Sequence, residues 1–285
     1  MSVTLGIDEA GVAHVEMCRE KAGNAIDLAM ARGLLEAARS CERTDGVRAV
    51  LLTGRGRSFC VGGDLREFAA LPGGRLAAHL TEVTDALHGA LRVFAGLDAP
   101  LVAAVQGAVA GAGLGLAAAA DLTLAASDAT FVAAYTGIGY SPDAGVSWSL
   151  PRLVGPKRAL DLLLTNRRIT APEAAEMGLV SRVVAADRLA EAAEETAAAL
   201  ARGATSALGV TRRLVAAGLS ASLDAHLDAE ARHLADAAVS AEGREGVLAF
   251  LTKRSPDYAV ARAPATVGEA DVVQLRGDTW RLPDS

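Results

Sequence analysis

The chain has 285 residues, enough for one large core or a core with a helical appendage and too few for a string of small domains. Hydrophobic residues make up 51% and aromatic residues only 4%, which excludes a disordered chain and requires an interior filled by Ala, Val and Leu. The net charge of −6 excludes a general attraction to nucleic acid or anionic lipid, so an anionic ligand needs a local cationic pocket.

Cys18, Cys41 and Cys60 cannot all pair and lack metal-ligand spacing, which points to a reducing compartment and no metal. The N-terminus MSVTLGIDEA has no basic segment followed by an apolar run, and glycines break every apolar stretch short of membrane-spanning length. A cytoplasmic protein without membrane or nucleic-acid partners is expected.

In chain order, an alternating segment and hairpin (Val12, His14, Val15) lead into a helix predicted over 26–38, and VRAVLLTG reads as a buried strand. The loop GRGRSFCVGGD precedes an amphipathic helix with Leu80, Val83, Leu87, Leu91 and Phe94 on one stripe, ending near Gly96. PLVAAV is a strand, the run to Gly115 a glycine-rich loop, and the alanines beyond it a closely packed helix before the strand DLTLAA. Such strand, loop and helix repeats predict an α/β fold with mainly parallel pairing. Thr170 and Glu173 have capping-box spacing, Pro172 suits a first turn and Gly178 a stop; VSRVV is a short strand. Residues 186–253 are helical in pattern, and a polar tail follows Pro256. The expected organisation is a core over 1–200, a helical region over 201–258 and a tail over 259–285.

Two glycine loops, Phe59 to Leu65 and Gly107 to Gly115, each follow a buried strand and precede a helix, so each can aim unpaired N–H groups into a cleft, as an oxyanion requires. A dinucleotide site is disfavoured at the second loop, because GAGLGL lacks the third glycine and no ribose-binding acid follows at the proper distance. Close helix packing remains the ordinary use of such a run.

The segments NAI, VLLTGRGRSFCVGGDLREF, PLVAAVQGAVAGAGLGLAAAADLTLAA, FVAAYTGIGYSPDAGVSWSLPRLVG, AAEMGLVSRVV and EGREGVLAFLTKRSP resemble, in order and spacing, the crotonase superfamily of enoyl-CoA hydratases and isomerases. The resemblance implies a ββα spiral core and C-terminal helices that drive trimers, often paired as a dimer of trimers. It also implies an acyl-coenzyme A thioester as substrate and no prosthetic group. By motif position, the N–H groups of Gly63 and Ala112 would form the oxyanion hole. Val61, Asp64 and Leu65 fall in the stretch that contacts adenine and the pantetheine arm. Arg19 and Lys253 would sit near the phosphates, Lys253 across a subunit boundary with Phe250 beside it, although both cations also suit ordinary solvated charges.

The resemblance departs from the hydratases where it matters chemically. Their two glutamates correspond to Gly115 and Tyr135 here, neither of which is a carboxylate base. Instead SPDAG places Asp143 as in enoyl-CoA and ring-opening epoxyphenylacetyl-CoA isomerases and 4-chlorobenzoyl-CoA dehalogenases. One such base suffices to move a double bond. The competing use of Asp143 is to cap a helix starting near Ala144. His88 aligns with the dehalogenases' water-activating histidine, or is a packing residue. Tyr135 aligns with a tryptophan that positions their aspartate, or is a pocket wall. An isomerase-type reaction leads; covalent aryl-thioester hydrolysis or dehalogenation by Asp143 and His88, an atypical hydratase and a silent acyl-thioester-binding protein are the alternatives.

Overall fold

The computed structural model describes residues 1–261. Alternation near the N-terminus makes a hairpin of β1 (Val3–Ile7) and β2 (Val12–Met17), whose buried Val12, Val15 and Met17 face the core. The first helix, α1 (Leu28–Arg43), starts later and ends later than the sequence predicts. Asp27 sets its start by accepting the Met30 amide at 2.7 Å, and buried Met30, Leu34, Ala38 and Cys41 continue the apolar stripe past residue 38.

After β3 (Ala49–Gly54) come α2 (Leu65–Ala70), the long α3 (Gly73–Gly96), β4 (Leu101–Val105) and a short β5 (Ala108–Ala110). The expected glycine loop is shorter than predicted: β5 takes up 108–110 and α4 (Ala112–Ala119) begins inside it, with Gly113 and Gly115 as helical residues. Packing requires glycine at both positions, since a Cβ on Gly113 would lie 2.7 Å from Cys60 Cβ, and one on Gly115 would lie 2.6 Å from Ala144 Cβ.

Next come β6 (Leu122–Ala126), β7 (Thr130–Val132), α5 (Val146–Val154), α6 (Pro156–Thr165), β8 (Ile169–Thr170), α7 (Ala171–Glu176) and β9 (Arg182–Val184). The Thr170 hydroxyl accepts the Glu173 amide, with Pro172 in the first turn, as the capping spacing predicts. The larger sheet has the order β1-β2-β3-β4-β6-β9, parallel from β2 onward, and β5-β7-β8 form a second sheet. Parallel bridges from Ile26 to Gly63 and from Cys60 to Val109 stack successive turns of chain beside that second sheet. The chain therefore climbs in a spiral, and residues 27, 64 and 111 each stand just before a helix.

Helix α8 (Leu189–Ala201) lies on the sheet through Leu189, Ala193, Ala197 and Ala201. Then follow α9 (Thr205–Gly218), α10 (Leu223–Val239), α11 (Ala241–Leu251) and α12 (Tyr258–Ala261). No residue of α10 is buried, although Leu223, Leu227, Leu234 and Val239 punctuate it. No helix among the described residues is long and apolar enough to cross a membrane. The expected tail, 259–285, lies outside the described residues beyond Ala261.

Candidate active site

Two turns of the spiral meet back to back. Cys60 bonds the two residues that flank Val109, accepting the Ala110 amide at 2.9 Å and donating to the Ala108 carbonyl at 3.2 Å. At the contact stand Gly62 (φ 98°) and Gly111 (φ 52°), where a Cβ on Gly111 would come 3.4 Å from Gly62 Cα. Only glycine reaches both conformations and both approaches without strain. The next residue on each loop is the one of interest. Among the described residues no acceptor is found for the amide of Gly63 or of Ala112, whereas Asp64 N donates to Ile26 O and Gly111 N to Val132 O. An amide left unpaired beside satisfied neighbours is available to a ligand, and at Ala112 it is also a first-turn amide of α4, at the positive end of the helix.

Both amides line a chamber of about 620 Å³. Its walls are Ile26, Phe68, Leu76, Leu80, Val83 and Leu87, with Tyr140 and Ile138 at the mouth, and Asp143 is the only carboxylate among its described lining residues. A wider groove of about 1300 Å³, on the hairpin-turn side near Asp8 and Arg48, contains neither of these amides nor Asp143.

Asp143 sits on a sharply bent turn. Ala144 has φ 48° and Gly145 φ 72°, so α5 begins only at Val146 with Gly145 as its cap. Among the described residues the Asp143 carboxylate caps no helix; its main-chain oxygen accepts the Val146 amide, and its Oδ1 accepts the Tyr135 hydroxyl at 2.7 Å. Burial first, then the neighbouring Asp143 charge and hydrogen bond, push the Tyr135 phenol up, so Tyr135 stays protonated and donates. It is a buried pocket wall as well as a partner of Asp143. Cys60, wholly buried between the two loops, is pushed up to about 12, first by burial and also by the Asp143 charge, and remains a thiol.

Other predicted site residues fall around this centre. Exposed Val61 and Leu65 form its rim. Asp64 caps α2 through the Arg66 and Glu67 amides and pairs with Arg19 at 2.9 Å. Arg19 also contacts Asp27 at 3.1 Å and the Ala25 carbonyl, so its guanidinium ties the first loop to the start of α1. Phe250 and Lys253 are exposed on the C-terminal helical layer and do not line the chamber of their own chain. His88 lies behind the Asp143 turn, where its Nε2 accepts the Ala144 amide at 3.1 Å.

Sequence periodicity gave no sign that α3 has two roles. Its stripe reads as one core face, yet Leu76, Leu80 and Thr84 of its first half open onto the chamber while Ala90 and Phe94 are buried in the core. The spacing of four from Leu76 to Leu80 to Thr84 was available as a signal, but a core face has the same period. Phe68, whose ring would touch a Cβ at Gly63 at 2.8 Å, also carried no mark in the sequence.

A spiral of strand and helix turns here presents two unpaired amides in an apolar chamber, beside one carboxylate among the described lining residues, and such an arrangement can hold an oxyanion. The sequence agrees with the enoyl-CoA hydratase/isomerase family over residues 8–260, and the chain belongs to that family. Members of this family act on coenzyme A thioesters. The chain is 37% identical over 258 residues to the 1,2-epoxyphenylacetyl-CoA isomerase of Escherichia coli, covering 90% of this chain and 98% of that one. It is 43% identical over 249 residues to a Rhodobacter capsulatus protein named "Probable enoyl-CoA hydratase", covering 87% and 94%. The crystal structure of an enoyl-CoA hydratase from Bacillus anthracis superposes with a TM-score of 0.85 at 30% identity, covering 90% of this chain and 99% of that one.

Proposed function

We propose that this protein is an isomerase-type acyl-CoA enzyme in which Gly63 and Ala112 hold a thioester enolate and Asp143 moves the proton. The observation that carries the reading is that Asp143 is the single carboxylate among the chamber's described lining residues: hydration needs groups to activate water and to protonate carbon, and one carboxylate serves a proton shuttle instead. Gly115 supports it further, because Ala144 fills the space that a side chain there would need. The similarity to a protein named 1,2-epoxyphenylacetyl-CoA isomerase accords with this choice.

In the proposed reaction the Asp143 carboxylate takes an α-proton from a 3-enoyl thioester, and the C–H electrons move into the thioester, placing charge on its oxygen between the two amides. One such donor is worth about 3 kcal/mol of barrier. The protonated Asp143 then returns the proton to the γ-carbon as the double bond closes between the α and β carbons. Tyr135 occupies Oδ1 and leaves Oδ2 free among the described residues, so the two carboxylate oxygens are not equivalent. The walls favour an acyl group without charge. Exposed apolar residues on α10 and α11, including Leu223, Leu234, Val247 and Phe250, support self-association, and the trimer or dimer of trimers is what the family resemblance implies.

Conversion of 3-hexenoyl-CoA to its conjugated isomer, followed by ultraviolet absorbance, tests the reading. Asp143→Asn is expected to lower turnover by about 10² to 10⁴ while leaving acyl-CoA affinity nearly unchanged; unchanged turnover refutes the role.

A further inference from the structure

The Asp143 turn is bent into a conformation that its sequence does not favour. Ala144 is fully buried in the left-handed region, at φ 48°, followed by Gly145 at φ 72°. For a residue with a side chain this conformation costs on the order of 1 kcal/mol and persists only where neighbours enforce it. Two neighbours do so here. The backbone of Gly115 lies so close that a Cβ there would meet Ala144 Cβ and Ala144 O, both at 2.6 Å. The other is His88, whose Nε2 accepts the Ala144 amide at 3.1 Å. That bond requires an unprotonated Nε2, so the ring nitrogen facing the turn is occupied as an acceptor and is not presented to the chamber.

We infer that His88 is a positioning residue: by accepting the Ala144 amide it fixes the peptide next to Asp143 and so aims the carboxylate, taking no proton itself. The inference rests on the reading of Asp143 as the proton carrier. His88 lies on α3, one turn beyond Thr84 and beside Leu87, which line the chamber. The helix that meets the acyl group therefore also sets the base. A base displaced by about 1 Å can lose about 100-fold in rate without loss of binding.

The experiment compares His88→Gln, His88→Asn and His88→Leu with wild type and Asp143→Asn. Isomerisation of 3-hexenoyl-CoA gives kcat and KM, α-proton exchange of phenylacetyl-CoA in deuterated water gives the enolisation step, and thermal melting reports the fold. Glutamine can place a carbonyl oxygen near the position of Nε2; asparagine is too short and leucine has no acceptor. Leucine and asparagine are expected to lower kcat by about 100-fold with KM changed little, and glutamine to recover at least about ten-fold of that loss. If the leucine variant melts early, the glutamine and asparagine pair, both polar, decides the question.

A glutamine variant as impaired as the asparagine variant overturns the inference and makes the imidazole itself the reacting group. A leucine variant with wild-type kcat also overturns it. Failure of the underlying reading looks different: exchange and isomerisation then survive Asp143→Asn, whatever the His88 variants do.

Discussion

The wall carrying Gly63 and Ala112 offers main-chain groups, held by Gly62 against Gly111 and by Gly113 against Cys60, whereas the wall carrying Asp143 depends on side chains, Tyr135 at the carboxylate and His88 behind the peptide. The first kind of wall needs glycine where the loops meet but no reacting side chain, since backbone groups belong to every amino acid. The second kind can be rebuilt by one substitution. In the proposed reading, a thioester cradle of this kind is compatible with divergent proton chemistry, and the reaction is to be sought on the Asp143 side.

That contrast is broken most sharply at Asp143, where the loss of about 10² to 10⁴ in turnover should come with an unchanged acyl-CoA dissociation constant, read by calorimetry. Parallel loss of affinity would mean that the two walls are not independent. Next in size is Gly115→Glu, which supplies the glutamate that the hydratases carry. Hydratase activity on crotonyl-CoA is not expected to appear, because the new Cβ displaces Ala144 and with it Asp143. About 1 to 3 kcal/mol of stability should be lost by overpacking, and isomerisation should fall about 100-fold with the misplaced base. Hydration without loss of stability would show that the turn yields at no cost.

Tyr135→Phe removes the 2.7 Å bond to Oδ1 and nothing from the amide wall. A hydrogen bond to a charged group is worth about 1.5 to 3 kcal/mol, of which only the part that differs between ground and transition state appears in the rate. A fall of about 10-fold in kcat, with melting little changed, is the expected outcome in a steady-state assay. No change would reduce Tyr135 to a wall.

The difference between the walls also decides what could be read in advance. The two glycine loops were legible as places where backbone could approach a cleft, but close packing is the ordinary use of such runs, and only the family pattern singled out Gly63 and Ala112. The helical boundaries inside them were not legible. Gly113 and Gly115 suggest a loop by propensity, yet they lie in α4 and are glycine because Cys60 and Ala144 leave no room for a Cβ, and such contacts between distant segments have no local signature. On the side-chain wall Asp143 was legible only through the family pattern. The left-handed Ala144 that bends its turn was invisible, because alanine is the residue least expected there. Arg19 illustrates the same limit: a lone cation in sequence, it is flanked in space by Asp27 and Asp64.

The smallest expected effect belongs to that cluster and sharpens the contrast from the amide side. Burial alone would push the Asp64 carboxyl up, but the Arg19 hydrogen bond and the Glu67 and Arg66 amides outweigh it and hold the group below its ordinary 3.8. Because the folded state keeps Asp64 ionised where the unfolded chain begins to take up a proton, this group's contribution to stability is complete above 3.8 and is lost as pH falls through the lower folded value. Asp64→Asn keeps an oxygen to cap α2 and loses only the charge. It should cost no more than about 1 kcal/mol at neutral pH, with the gap to wild type closing in acid, as measured by urea unfolding across a pH series. If the gap stays constant down to the acid limit, the Arg19 pair is not what braces the loop bearing Gly63. A closing gap with unaltered kcat would mean that the amide wall keeps its geometry when one brace is removed, as a wall locked by backbone contacts should.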